Sequence, residues 1–389
     1  MAGPSLRLGR SWPARNGACI AEVMQTGAVP LVAVVLPPRE GFGPNRTGAL
    51  GLLARRLIGT PGFRTAIFGG PQDGAVFPGV DFHAVAPSRW WLGSTNIRYA
   101  VSVARALRRM KPALIEVHNR PEIALVLAAR LPKIPVTLML NNDPQGMRGA
   151  TTPAERDALL RKLALVITSS DYLRGRLLEG VSAPFRVPSI LHNCLDLAGL
   201  PPPRPREHLI LFAGRIVADK GPDAFVAACT EALPHLPGWR AEMIGADRFR
   251  LNSPETAFVQ TIRAAAEAAG VGIMGYRDHP DVLDAMARAA IVVVPSRWPE
   301  PFGLVALEAM ASGAALICAP RGGLPEVAGD AAVYANPDQP SEIAAALLTL
   351  GGDEGRRAAL AEAGRLRARL FDLPVIAEQL ARLRSGVIG

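Results

Sequence analysis

Two acids stand eight residues apart in a stretch that is otherwise almost wholly apolar or small, PSRWPEPFGLVALEAMASG, from Pro295 to Gly313. Glu300 sits between Pro299 and Pro301, each of which fixes φ and removes a donor, so its loop is held stiff. Glu308 falls in the second turn of a helix predicted over 304–312, with Leu304, Val305, Ala311 and Ser312 as its i±3 and i±4 neighbours. A buried carboxylate without a partner is costly. Glu308 therefore either turns outward and serves helix propensity alone, or meets hydroxyl groups. A ribose diol suits it, because a carboxylate accepts two hydroxyl hydrogens side by side. The unpaired first N–H groups of that helix, beside Gly303, favour an anion.

Two further loops carry similar chemistry. LFAGRIVADKG sets Arg215 and Lys220 five residues apart in a glycine-bounded loop directly after a strand. Two cations with free backbone N–H groups suit a diphosphate, the alternative being two surface cations beside a turn. CAPRGGLPEVAGD brings Gly322, Gly323 and Glu326 into another loop after the next strand. His118 ends the strand-like run ALIEVHN, and NNDPQGMRG follows the next one. No Asp-x-Asp pair occurs, so no metal site is expected.

The elements that must position these residues alternate along the chain. Buried strand-like runs at 30–38, 65–70, 113–119 and 135–143 are separated by helical patterns at 48–59, 97–112 and 122–131. The alternation restarts at HLILFAGR after a proline-rich connection. Such a pattern predicts parallel, doubly wound sheets, whose ligands bind at the carboxyl ends of the strands. The predicted organisation is a flexible leader over 1–28, a Rossmann-like domain over 29–196, and a linker over 197–208. A second Rossmann-like domain follows over 209–369, and a last helix over 370–389 returns to the first domain.

GRIVADKG, PSRWPEPFGLVALEAMASG and RGGLPEVAGD, in this order and spacing, resemble the signature of the family 4 glycosyltransferases, with Glu300 and Glu308 as its E-x7-E pair. The resemblance runs from about residue 30 to the end. It implies the GT-B fold, an α/β architecture of two Rossmann-like domains facing a central cleft. It also implies transfer of a sugar from a nucleotide sugar to an acceptor with retention of configuration, without a cofactor. By that resemblance His118, Glu300, Arg215 and Lys220 form the catalytic group, His118 and Glu300 near the donor sugar and the two cations on the diphosphate. Glu308 takes the ribose. Backbone N–H groups of Phe302, Gly303 and Leu304 meet sugar or phosphate, and Gly245 and Tyr276 flank the nucleobase. On the acceptor side, Asp143 is expected to orient a hydroxyl and Gly48 to let backbone approach phosphate or acceptor, although the family's glycine pair there is altered. SILHNCLD resembles the family's Asn-Gly-x-Asp hinge, with Cys194 in place of glycine. VHNRPE with NNDPQGMRG resembles bacterial envelope-polysaccharide transferases, which implies lipopolysaccharide or exopolysaccharide biosynthesis.

Composition narrows the setting. Hydrophobic residues make up 49% and charged residues 20%, which excludes a disordered chain. Four cysteines, Cys19, Cys194, Cys229 and Cys318, lack paired spacing and point to a reducing compartment. The formal net charge is +9, but residues 1–195 hold 24 Lys and Arg against 11 Asp and Glu. This basic half suits an anionic substrate, a membrane surface or a nucleic acid. Basic helices expected over 52–64 and 101–111 suit anionic lipid, hence a glycan or lipid-linked acceptor handled by a peripheral protein at the cytoplasmic face of the plasma membrane. Nucleic-acid binding is disfavoured, since few aromatics interleave with the basic residues. A nucleotide-sugar epimerase or a phosphorylase on the same fold is the remaining alternative. A pyridoxal-type phosphorylase needs a Schiff-base lysine, and Lys220 is the only lysine after residue 195.

Overall fold

The structure is a computed structural model that describes residues 29–44, 46–182, 185–247 and 255–389. The expected leader over 1–28 lies outside the described residues. The first half contains strands β1 (Leu31–Val35), β2 (Phe42–Gly43), β3 (Arg46–Thr47), β4 (Arg64–Gly69), β5 (Asp81–Ala84), β6 (Leu114–His118), β7 (Val136–Leu140), β8 (Leu165–Thr168) and β9 (Ser189–Ile190). The second half contains β10 (Glu207–Ala213), β11 (Arg240–Ile244), β12 (Val271–Gly275), β13 (Ala289–Val294), β14 (Ala315–Cys318) and β15 (Ala332–Tyr334).

Seven strands pair in parallel in the order β5-β4-β1-β6-β7-β8-β9, and six in the order β12-β11-β10-β13-β14-β15. Each sheet starts in its middle and winds outward in both directions. The order reverses between β1 and β6 in the first sheet and between β10 and β13 in the second, which is where such sheets open a ligand crevice. Central strands such as β7 (VTLML) and β13 (AAIVVV) are buried along their whole length, because helices cover both faces.

Along β6 the side chains alternate. Ile115 and Val117 enter the core shared with Val35, Phe68 and Leu138. Leu114, Glu116 and His118 take the other face. The last helix, Leu373–Ile388, lies on that side. Its chain crosses back at a backbone bridge, with Leu373 N donating to Leu195 O at 2.9 Å and Leu195 N to Phe371 O at 3.0 Å. Ile376, Ala377 and Leu380 then pack against Leu53, Leu57, Met139 and Ile167 of the first domain.

Two expectations change. The basic helix over 52–64 does not exist as one element. Its helix ends at Arg56, one tight turn follows over Leu57–Gly59, and Arg64 already belongs to β4. Proline and two glycines in GTPG break it, with Gly62 at φ 77°. Arg56 is also turned inward, donating to Cys194 O at 2.8 Å. The edge strands β5 and β15 escaped the pattern, because both are only partly buried and lack a continuous apolar run.

Candidate active site

At the second sheet's reversal, the loop after β10 and the loop after β13 lie against each other. Gly221 has φ 68°, and a Cβ there would stand 2.0 Å from Pro295 O, so only glycine allows the two backbones to touch. Arg297 N and Trp298 N both donate to Asp219 O at 2.9 Å. This packing brings Lys220 to Glu300. Lys220 Nζ lies 2.5 Å from Glu300 Oε1, which also accepts from Ser296 Oγ at 2.8 Å. The pair is mostly buried, with Lys220 at 23% and Glu300 at 14% exposure. The loop after β14 closes behind it. Gly322 has φ 62° and a Cβ there would meet Glu300 O at 2.3 Å, while Gly323 N donates to Glu300 O at 2.7 Å. The Gly322-Gly323 pair therefore fixes the backbone that carries Glu300.

The helix Leu304–Ala311 starts from Gly303, whose φ of 108° excludes most side chains. Phe302 turns its ring inward, packed against His192 and Phe371, so its backbone is what remains for a ligand. Glu308 is buried at 7% exposure, yet one oxygen is already matched: Oε1 lies 2.7 Å from His279 Nε2. His279 opens the helix His279–Arg288. Sequence reasoning passed over it, since HPDVLDAM reads as an ordinary helix start. Gly245 follows β11 with φ 148°, where a Cβ would collide with Gly214 O at 1.7 Å, and Tyr276 follows β12. Arg215 is exposed in the loop after β10. These residues converge on one end of one sheet.

In the first domain His118 is only 2% exposed. Its Nε2 faces Glu116 Oε1 at 3.2 Å, and its Nδ1 is buried without a hydrogen-bond partner. Glu116 is gripped from the last helix by Arg384, Nε to Oε2 and Nη2 to Oε1, each at 3.1 Å. Burial opposes ionisation of Glu116, but Arg384 and then His118 outweigh it and bring its pKa down to about 2.

The expected acceptor residues fare differently. Asp143 is committed within its own domain, accepting from Gln145 N at 2.9 Å and from Arg176 Nε at 2.8 Å. It caps a turn and anchors a neighbouring helix, and each oxygen keeps a second lone pair for a further donor. Gly48 opens the first helix with its Cα against the carboxylate of Glu40, where a Cβ would lie 2.5 Å from Oε1. The nearest atom to that position is thus the far end of a side chain.

The two sheet edges are latched together. Ser170 Oγ donates to Pro301 O at 2.5 Å. Glu326, in the short helix Leu324–Ala328 that follows β14, accepts from Asp171 N at 2.7 and 2.9 Å and lies 2.8 Å from His192 Nε2. Burial resists the charge on Glu326, but His192 and the Asp171 N–H hold its pKa below the usual carboxylate value. Among the described residues no cluster of three His, Cys, Asp or Glu side chains is placed to hold a metal ion.

Two parallel doubly wound domains with facing carboxyl edges and a final helix returned to the first domain define the GT-B architecture. Residues 201–367 match the sequence model of the family described as glycosyl transferases group 1. Among curated relatives, the lipopolysaccharide core biosynthesis mannosyltransferase LpcC of Rhizobium leguminosarum bv. viciae is 32% identical over 216 residues, covering 52% of this chain and 56% of LpcC. The chain spans roughly half the length of the first curated relatives it matches. Sucrose-phosphate synthase from Thermosynechococcus elongatus superposes with a TM-score of 0.73 at 20% identity, covering 92% of this chain and 99% of the synthase. The Anabaena protein HepE, solved in complex with UDP and glucose, gives 0.70 at 18% identity over 92% of this chain and 100% of HepE. These structural likenesses show the fold.

Proposed function

We propose that this chain is a retaining glycosyltransferase that moves a sugar from a nucleotide-sugar donor to a glycan or lipid-linked acceptor, with no resident metal or cofactor. The observation that carries this reading is the Lys220–Glu300–Ser296 cluster at the second sheet's reversal, inside the stretch that matches group 1 glycosyl transferases. The UDP bound to a protein of the same fold supports a nucleotide-sugar donor.

In this reading the bond between the sugar's anomeric carbon and the diphosphate breaks, with its electron pair passing to the phosphate oxygen. Lys220, Arg215 and the N-terminus of helix 304–311 offset that charge in a site already shaped for it. The acceptor hydroxyl attacks from the face that the diphosphate leaves, and its proton passes to the departing phosphate oxygen. No protein base is needed. Glu300 positions the sugar, His118 stands near it, and Glu308 takes the ribose.

The relative LpcC supports an acceptor in lipopolysaccharide or exopolysaccharide assembly. A peripheral location at the inner face of a bacterial plasma membrane draws support from two exposed features. Arg105, Arg108 and Arg109 lie exposed on the helix Thr95–Met110, and Trp90 and Leu92 are 97% and 92% exposed. No helix among the described residues is long and apolar enough to cross a membrane.

Release of nucleoside diphosphate from a panel of nucleotide sugars, beginning with glucose and mannose donors, tests the activity. Release is expected from at least one donor and is expected to depend on Lys220 and Glu300. Failure across the panel would sink the reading. Flotation with anionic vesicles tests the location, and binding indifferent to anionic lipid counts against it.

A further inference from the structure

A cavity of about 460 Å³ opens at the carboxyl edge of the first sheet, beside its reversal point. Its size falls in the range of small-molecule sites. Three of its lining residues are arginines carried by three different loops: Arg39 after β1, Arg120 after β6 and Arg148 after β7. None belongs to the donor site in the second domain.

The arginines are not neutralised where they stand. Arg39 and Arg148 are exposed, and among the described residues neither makes a hydrogen bond or ion pair. Arg120 is half-buried and donates only to Asn119 O, at 2.7 Å. Two carboxylates lie nearby. Glu40 interacts with Arg120 but is turned to the N–H of Gly51, at 3.0 Å. Glu122 accepts from Ser94 Oγ at 2.9 Å. Charge on the wall thus remains in positive excess.

The backbone adds to it. Two helices, Thr95–Met110 and Pro121–Arg130, begin at this cavity, with Thr95, Asn96 and Pro121 in its lining. Their N-terminal dipole ends carry partial charge of the same sign as the guanidinium groups, with Ile97 N already donating to Ser94 Oγ. A neutral sugar relieves none of this repulsion. A phosphate does, because guanidinium forks and helix starts both donate to its oxygens.

We propose that this cavity binds a phosphate group carried by the acceptor. The assignment of that group to the acceptor rests on the glycosyltransferase reading. Asn119, in the lining, directly follows His118, so the phosphate would sit one residue from the side chain given to the donor sugar. The acceptor class is then a phosphorylated glycan or a sugar joined to a phospholipid. Both present the same phosphate chemistry.

The test measures inorganic phosphate binding by 31P NMR line broadening at saturating UDP, which occupies the donor's diphosphate site. The full chain is compared with the R39A/R148A double variant. Phosphate affinity is expected to fall at least tenfold in the variant, while UDP affinity stays within twofold. Competition at the cavity separates the sources. Displacement of the bound phosphate by short-chain phosphatidylglycerol marks a lipid-borne phosphate, and displacement by a sugar phosphate but not by that lipid marks a phosphate on a soluble glycan. Absence of phosphate binding in the unmodified protein, or binding unchanged in the variant, overturns the proposal. Should UDP fail to bind, the nucleoside diphosphate released in the donor panel takes its place; should none bind, the donor reading fails, and the phosphate comparison still decides the cavity.

Discussion

Arg384 of the last helix holds Glu116 of β6 through two hydrogen bonds of 3.1 Å, across 268 residues of sequence. Through that carboxylate it also sets the ring of His118, whose Nε2 lies 3.2 Å from Glu116 Oε1. The returning helix is therefore more than a cover for apolar surface. It delivers a cation that lets a buried acid stand behind His118.

Removing that cation leaves a charge buried and unpaired. Arg384→Ala is expected to destabilise the protein by about 3–5 kcal/mol, measured by urea unfolding. A paired change to Glu116→Gln with Arg384→Met is expected to recover most of the loss, because no charge is then stranded. The pH dependence follows from the depressed carboxylate. Glu116 titrates near 2 in the folded chain against an ordinary 4.5. Its contribution is full above 4.5 and disappears as pH falls toward 2. Equal acid sensitivity in wild type and the double variant would contradict this.

Lys220→Ala and Glu300→Gln are each expected to lower turnover by about 10²–10³, the usual effect of removing one charge-stabilising group. Lys220→Ala should also weaken binding of the nucleoside diphosphate, whereas Glu300→Gln should not. Steady-state kinetics and UDP titration read the two effects separately. Turnover preserved in both variants would remove these residues from the reaction.

Glu308→Gln is expected to weaken UDP binding by about 1.5–3 kcal/mol, the range for hydrogen bonds to a charged group. The loss should largely vanish with a dideoxyribose analogue that has no hydroxyls to offer. His279→Ala should weaken UDP binding less than Glu308→Gln does, since His279 engages only Oε1 and the carboxylate itself remains. If both nucleotides lose affinity equally in Glu308→Gln, the carboxylate does not hold the ribose.

Glu326 ties the two domains through Asp171 N and His192. Because closure holds its pKa below the ordinary carboxylate value, the latch is complete above that value and is lost as pH falls through the depressed one. Small-angle scattering is expected to show a larger radius of gyration for wild type in acid and for Glu326→Ala at neutral pH. An unchanged radius in both would mean that other contacts hold the domains together.

Much of the second domain's site is legible in the amino-acid order alone. Strand, loop and helix start are contiguous there, so Glu300, Glu308, Arg215 and Lys220 share short segments whose buried runs announce where the sheet edge must be. Yet residue order misleads about what several of these side chains and backbones touch. Gly322 and Gly323 look like ligand-binding glycines, but their nearest neighbour is the backbone around Glu300. Asp143 reads as a lone acid, but the fold pairs it with Arg176. A residue's type says what it can bond to, while packing decides which partner arrives.

The sequence by itself determined the alternation of strands and helices, the two sheets and the end of each sheet where chemistry would gather. Hydrophobic periodicity is local, and a short window carries it. Only the tertiary structure decided that Arg384 serves Glu116, that His279 meets Glu308, that Glu326 bridges the domains and that three arginines ring one cavity. Those pairings join segments distant along the chain, and the geometry that selects them exists only once the sheets have formed and the last helix has come home.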